Sequence, residues 1–158
     1  MQRTLVTLLF ILLGFIGVIN PIYPETLINN EKVTPSYIPG LGEIMGYIQL
    51  RHAKLWLAGI NGNWDLAHYE LGELKEGFDN AQTYQPDFKG KPIKEIINPL
   101  TNPALNSLDQ AISKKDFQNF KLAFNKLTHA CNACHQSTGY KFIQIQTPSS
   151  IPITNQHF

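Results

Sequence analysis

The sequence predicts an all-α fold: an antiparallel four-helix bundle, preceded by a signal or anchor segment and followed by an extended tail. Apolar residues recur at three- and four-residue steps in four stretches between Leu41 and Gly139. The links between these stretches are short, which makes consecutive helices antiparallel neighbours. Gly, Asn and Pro punctuate the links, and no βαβ pattern is present. The 158 residues suit one domain, divided as 1–20 signal peptide or N-terminal anchor, 21–40 linker, 41–140 helical bundle and 141–158 extended tail.

Taken in order, Arg3 precedes an apolar run from Leu5 to Ile19, broken only by Thr7, Gly14 and Gly17. A basic start followed by about 7–15 apolar residues is the pattern of a secretory signal, and the run falls short of the roughly 20 residues of a spanning helix. No A-x-A-type cleavage site follows; the residues are Gly17, Val18, Ile19, Asn20 and Pro21. Retention as an anchor is therefore the alternative to cleavage. Either outcome places the rest of the chain outside the cytoplasmic membrane, in the periplasm. Pro21, Pro24, Pro35 and Pro39 then mark a linker.

The first helix begins after Gly40, with Leu41, Ile44, Met45, Ile48, His52, Leu55 and Trp56 on one face. Gly59 to Gly62 ends it. Asn63 can cap the second helix, whose seam is Trp64, Ala67, Leu71, Leu74, Phe78 and Ala81, and Pro86 closes it. Pro92, Pro99 and Pro103 interrupt the third region, because proline breaks a helix interior. A short turn over 93–98 and a helix over 103–113 are expected there. The last helix starts near Ser113 or Asp116, a pair resembling a capping box. Its seam is Phe117, Phe120, Phe124, Leu127, Cys131 and Cys134.

That seam ends in Cys131, Asn132, Ala133, Cys134 and His135, which read C-x-x-C-H, the attachment signature of a c-type haem. Two cysteines three apart reach both haem vinyl groups from one helical turn. His135 then falls under the porphyrin, where it can bind iron as the proximal ligand. The chain has only two cysteines and five histidines, which makes the match specific. A structural zinc site needs four ligands and finds no second pair here. A thioredoxin-like redox pair lacks its βαβ context. A disulfide would close too short a loop to contribute much. Because both cysteines continue the core face, one covalently attached haem c is expected inside the bundle.

Net charge is +1, and charged residues make up 16 %. Neither points to nucleic acid or an anionic membrane surface. No catalytic triad or paired carboxylates argue for an enzyme, a small peroxidase included.

With the haem motif on the fourth helix, residues 41–140 resemble the class II c-type cytochromes, the family of cytochrome c′ and cytochrome c-556. The resemblance implies an exported monohaem protein matured outside the cytoplasmic membrane. It implies either electron transfer with a redox partner protein or binding of nitric oxide and carbon monoxide at five-coordinate iron. Where those families place an aromatic and a basic residue three and four positions after the haem histidine, this chain has Tyr140 and Lys141 later, and its tail is foreign to them.

The sixth iron position decides between these roles. In an antiparallel bundle the end of helix four lies level with the start of helix one. His135 is nineteen residues beyond Asp116, and nineteen back from Gly59 is Gly40, so Met45 is the nearest thioether. Met45 corresponds in role to the methionine ligand of cytochrome c-556; otherwise it is a gap-filling core residue. His52, one heptad on and about 10 Å along the same face, is the alternative ligand or a satisfied core histidine. His68 and His129 read as surface residues, and His157 needs the tail to fold back. Trp56 and Trp64 read as core aromatics or porphyrin neighbours. Arg51 is either a propionate partner or a solvated charge. Glu70, Glu73, Glu76 and Asp79 form a solvated face or a docking patch for a basic partner. Membrane contact is expected only through an uncleaved N-terminus, and a homodimer is left open.

Overall fold

The computed structural model describes residues 37–150 and 155–158. The signal or anchor expected over 1–20, and the linker up to residue 36, lie outside the described residues. Four helices account for most of the described chain: α1 Leu41–Ile60, α2 Trp64–Tyr84, α3 Ile93–Ser113 and α4 Phe117–Ser137. A hairpin of two short strands, β1 Asp87–Phe88 and β2 Lys91–Pro92, joins α2 to α3. Among the described residues, no helix is long and apolar enough to cross a membrane.

The turn between α1 and α2 is built from three residues. Gly62 takes φ +70°, which a glycine adopts without strain, and Asn63 N–H donates back to the Ala58 carbonyl at 2.9 Å. The Asn63 side chain then accepts the Leu66 N–H at 3.2 Å and caps α2, as its sequence position predicts. So short a link turns the chain back on itself. Tyr47 meets Glu73 and Arg51 meets Glu70, so the two helices run in opposite directions. Gly77 admits Ile48: a Cβ there would lie 2.7 Å from Ile48 Cγ1.

The hairpin turns through Lys89 and Gly90, both at positive φ (52° and 75°), the geometry of a two-residue β-turn that matches strand twist. Asp87 Oδ1 fixes it by accepting the Gly90 N–H at 3.0 Å. This hairpin is absent from the sequence reading, which gives only a break after Pro86.

The third region differs from expectation: α3 is one continuous helix from 93 to 113, with Pro99 and Pro103 inside it. The prolines lie four apart and both are exposed. Each removes one N–H from the ladder, but the carbonyls left without partners belong to Glu95 and Pro99, also exposed and within reach of water. The buried face, with Ile93, Ile97, Thr101, Leu105, Leu108 and Ile112, is uninterrupted and holds the helix together.

Ser113 ends α3 and caps nothing. The cap of α4 is Asp116, whose carboxylate accepts the Asn119 N–H at 3.0 Å, a bond that holds its pKa below the usual carboxylate range. Phe117, assigned to the core seam from spacing, is 39 % exposed because it sits in the first turn on the outer side. Further along the seam Phe120, Phe124 and Leu127 are sealed, and Cys131 and Cys134 are half-buried.

All four helices contribute to one apolar core. At one end Phe120 packs edge-on to Trp64 at 5.9 Å and beside Trp56 at 6.2 Å. Gly59 lets Phe120 approach so closely that a Cβ there would lie 2.2 Å from its ring. Moving along α1 from Gly59 to Trp56 to His52, the partners on α4 move from Phe120 to Phe124 to Thr128. These two helices therefore also run in opposite directions, and the start of α1 lies beside the end of α4.

Candidate functional site

Where α1 begins and α4 ends, the core opens into a cavity of about 260 Å³. Its walls come from all four helices, β1 and the tail. Leu41, Gly42, Met45, Gly46, Ile48, Gln49 and His52 of α1 line one side; Cys131, Cys134 and His135 of α4, with Thr138 just past its end, line another. Phe78, Phe88, Ile93, Ile97 and Thr101 also line it, as do Tyr140, Ile143 and Ile145 of the tail, and the space stays partly open to solvent. All five residues singled out in the sequence, Cys131, Cys134, His135, Met45 and His52, thus border one mostly apolar space. Among the described residues, no lysine or arginine lines it.

Cys131 and Cys134 are free thiols on one side of α4. Burial pushes the Cys131 thiol up to about 12, with Cys134 adding to the effect, and burial raises Cys134 as well. Both stay protonated at neutral pH, and oxidation to a disulfide needs a thiolate.

The helix ends in a motif that turns the chain back. Gly139 has φ +90°, Tyr140 N–H donates to the His135 carbonyl at 2.7 Å and Thr138 N–H to the Cys134 carbonyl at 3.0 Å. The tail then returns along α4, and His135 Nδ1 comes to 2.9 Å from the Ile143 carbonyl oxygen. A carbonyl only accepts, so Nδ1 carries the proton. Nε2 is then the nitrogen with the free lone pair. Metal-bound imidazoles commonly have this arrangement, one nitrogen anchored to a backbone carbonyl and the other on the metal.

His52 is only 3 % exposed. Its Nε2 lies 2.9 Å from Thr128 Oγ1, and that hydroxyl donates its single proton to the Phe124 carbonyl at 3.0 Å. The hydroxyl must therefore accept from His52, which makes His52 an Nε2–H tautomer with only Nδ1 unprotonated. Burial pulls its pKa down to about 4, so the ring is neutral. Met45 is half-buried against the core.

Other expectations change. Arg51 is mostly buried and does not line the cavity: its guanidinium meets Glu70 at 3.1 Å and Glu73 at 2.9 Å and stacks 4.7 Å from the Tyr47 ring. Glu70 is fully buried between Arg51 and Lys54, which lies 3.3 Å away. The acidic group is therefore not one solvated face: Glu70 and Glu73 tie α2 to α1, and only Glu76 and Asp79 face water. Trp56 and Trp64 pack on Phe120 and do not line the cavity. His68 and His129 are exposed, as read from the sequence.

Several features fit a flat, covalently held macrocycle. Among the described residues, no three His, Cys, Asp or Glu side chains converge on one point. Iron in a porphyrin takes four ligands from the ring and asks the protein for one or two. Gly42 and Gly46, one helical turn apart and flanking Met45, have open space where a Cβ would stand. Within a helix glycine costs about 1 kcal/mol relative to alanine, and no neighbour among the described residues requires a glycine at either position. Close approach of a ligand to this face of α1 would. Sequence reasoning passed over this pair, although the spacing Gly-x-x-x-Gly around Met45 was there to read. The role of Ile143, eight residues beyond His135, left no sequence signal.

No family model, no curated protein and no solved structure matches this chain.

Proposed function

We propose that the chain is an exported monohaem c-type cytochrome that carries electrons to or from a redox partner protein, with its helices arranged as the antiparallel four-helix bundle of the class II kind. The observation that carries this reading is the C-x-x-C-H at the wall of an apolar cavity, with His135 Nδ1 committed to the Ile143 carbonyl and Nε2 left for iron.

In this reading Cys131 and Cys134 would hold the haem through its two vinyl groups, each S–H adding across one vinyl double bond so that sulfur takes one carbon and the hydrogen the other. His135 would bind the iron through Nε2 and Met45 would supply a second ligand, with His52 the alternative. When bound, haem supplies a one-electron couple. The apolar walls from Ile48, Phe78 and Ile97 keep water from the iron, and a thioether ligand favours the reduced state. His52 is less suited to ligation because its Nε2 is held by Thr128. Five-coordinate, gas-binding iron is the second reading. It draws on the same apolar walls, and it requires Met45 to be packing only.

Co-expression with a haem-attachment system decides the main point. The mature protein should carry one haem that survives acid–acetone extraction, and Cys131→Ala with Cys134→Ala should lose it. A colourless wild-type protein from that host would refute the reading. Ferric protein should show the weak near-infrared sulfur-to-iron band, and Met45→Ala should abolish it and open the iron to carbon monoxide. His52→Ala should leave the band in place. Fast carbon monoxide binding by the unaltered protein would favour the gas-binding role.

A further inference from the structure

The tail after α4 forms a strap with its own fastening. It runs back along the helix, and three contacts mark its course: His135 to Ile143, Asn132 to Ile145 and, more loosely, Asn125 to Thr147 at 3.4 Å. The Asn132 contact is the tight one. Its Oδ1 accepts the Ile145 N–H at 2.7 Å and its Nδ2 donates to the Ile145 carbonyl at 2.8 Å. A side-chain amide that satisfies both polar groups of one extended residue imitates the pairing of a neighbouring strand, which fixes position and direction together. At the other end of the strap, Tyr140 accepts a bond from Lys89 Nζ at 3.0 Å and packs on Phe88 at 6.1 Å.

We infer that Asn132 is a positioning residue: by clamping Ile145 it holds the Ile143 carbonyl against His135 Nδ1, and so fixes which nitrogen of His135 faces the cavity and how basic that nitrogen is. The inference rests on the haem reading for its functional meaning, but the clamp itself does not. Ile143 and Ile145 are two residues apart, so an extended strap pinned at one is set at the other. Asn132 lies between the two cysteines, where the haem motif leaves residue type free. A hydrogen bond accepted from Nδ1–H raises the donor strength of Nε2. With iron bound there, a stronger donor favours the oxidised state and lowers the reduction potential.

The test uses the full chain, with Asn132→Ala removing both bonds and Asn132→Asp keeping only the acceptor for Ile145 N–H. In haem-free protein at pH 8, the nitrogen-15 signals of His135 should report the Nδ1–H form alone in the wild type and a mixture in Asn132→Ala. In haem-loaded protein, Asn132→Ala should raise the reduction potential by about 59 mV, a tenfold change in the ratio of oxidised to reduced iron. Asn132→Asp should fall between the two. Proteolysis within residues 140–147 should speed up in the same order. A wild-type His135 that is already a tautomer mixture, or an Asn132→Ala protein with wild-type tautomer and potential, would overturn the inference. A locked, Asn132-dependent tautomer in a chain that never acquires covalent haem would uphold the clamp and sink the cytochrome reading instead.

Discussion

His52 shows how one buried side chain sets a pH response. The hydroxyl of Thr128, spent on the Phe124 carbonyl, forces His52 into its Nε2–H tautomer, and the Phe124 ring 4.3 Å away keeps water out. Folded, the ring has a pKa of about 4; unfolded, it returns to its ordinary 6.5. Between those values the unfolded chain binds a proton that the folded chain refuses, so stability rises with pH across this window and falls on acidification. The full effect is about 3 kcal/mol, absent above pH 6.5 and complete below about pH 4. Urea unfolding at pH 7, 5.5 and 4 should show this slope, and His52→Gln should remove most of it. Carboxylates act mainly below this range, since Glu73 and Asp116 are shifted further down. That His52 is buried was legible from its place among Leu55 and Trp56. Which nitrogen is free was not, because Thr128 lies 76 residues away on another helix.

At the scale of the element, two glycines in helix interiors should answer a substitution in opposite ways. Gly59 sits where α1 and α4 touch, and a methyl group there would collide with the Phe120 ring at 2.2 Å. Gly59→Ala should lower the unfolding free energy by about 1–3 kcal/mol, the usual result of overpacking. Gly72, within α2, has nothing within 4 Å of its would-be Cβ. Gly72→Ala should raise stability by about 1 kcal/mol through helix propensity alone. Denaturant melts of both variants would check the pair. The extents of α1 and α2 were readable because their seams repeat without interruption and Asn63 marks the joint. The extent of α3 was not, because proline is judged by its rule for helix interiors, whereas Pro99 and Pro103 both fall on the wet face. The β-hairpin escaped notice because each strand is two residues long, too short for alternation to show.

For the molecule as a whole, the cavity where α1 begins and α4 ends is a departure from a packed interior. At about 24 cal/mol per Å³, an empty space of about 260 Å³ is worth up to ~6 kcal/mol of lost stability, an upper limit because one side is open. A group that fills it in the folded state alone recovers that loss. The haem-free chain should therefore melt on the order of 10 °C below the haem-loaded one, and circular dichroism during heating would measure the gap. Equal melting temperatures would mean that nothing of haem size belongs inside. The sequence carried the motif residues and, through counting along antiparallel helices, the level of Met45. It did not carry the enclosure, since Phe88, Tyr140, Ile143 and Ile145 come from segments whose spacing has no period.

The cavity also has an order of construction. Synthesis proceeds from α1 to the tail, so Met45, Ile97, Cys131 and His135 all exist before Tyr140, Ile143 and Ile145 do. The wall beside the two cysteines is the youngest part of the chamber. Before the tail docks, the side of α4 that carries the thiols would be the side from which a haem-attaching enzyme, on the proposed reading, could reach them. Once Asn132 has caught Ile145, that side is covered. On that reading timing, as much as affinity, would separate a chain loaded before the tail docks from one whose tail docks first.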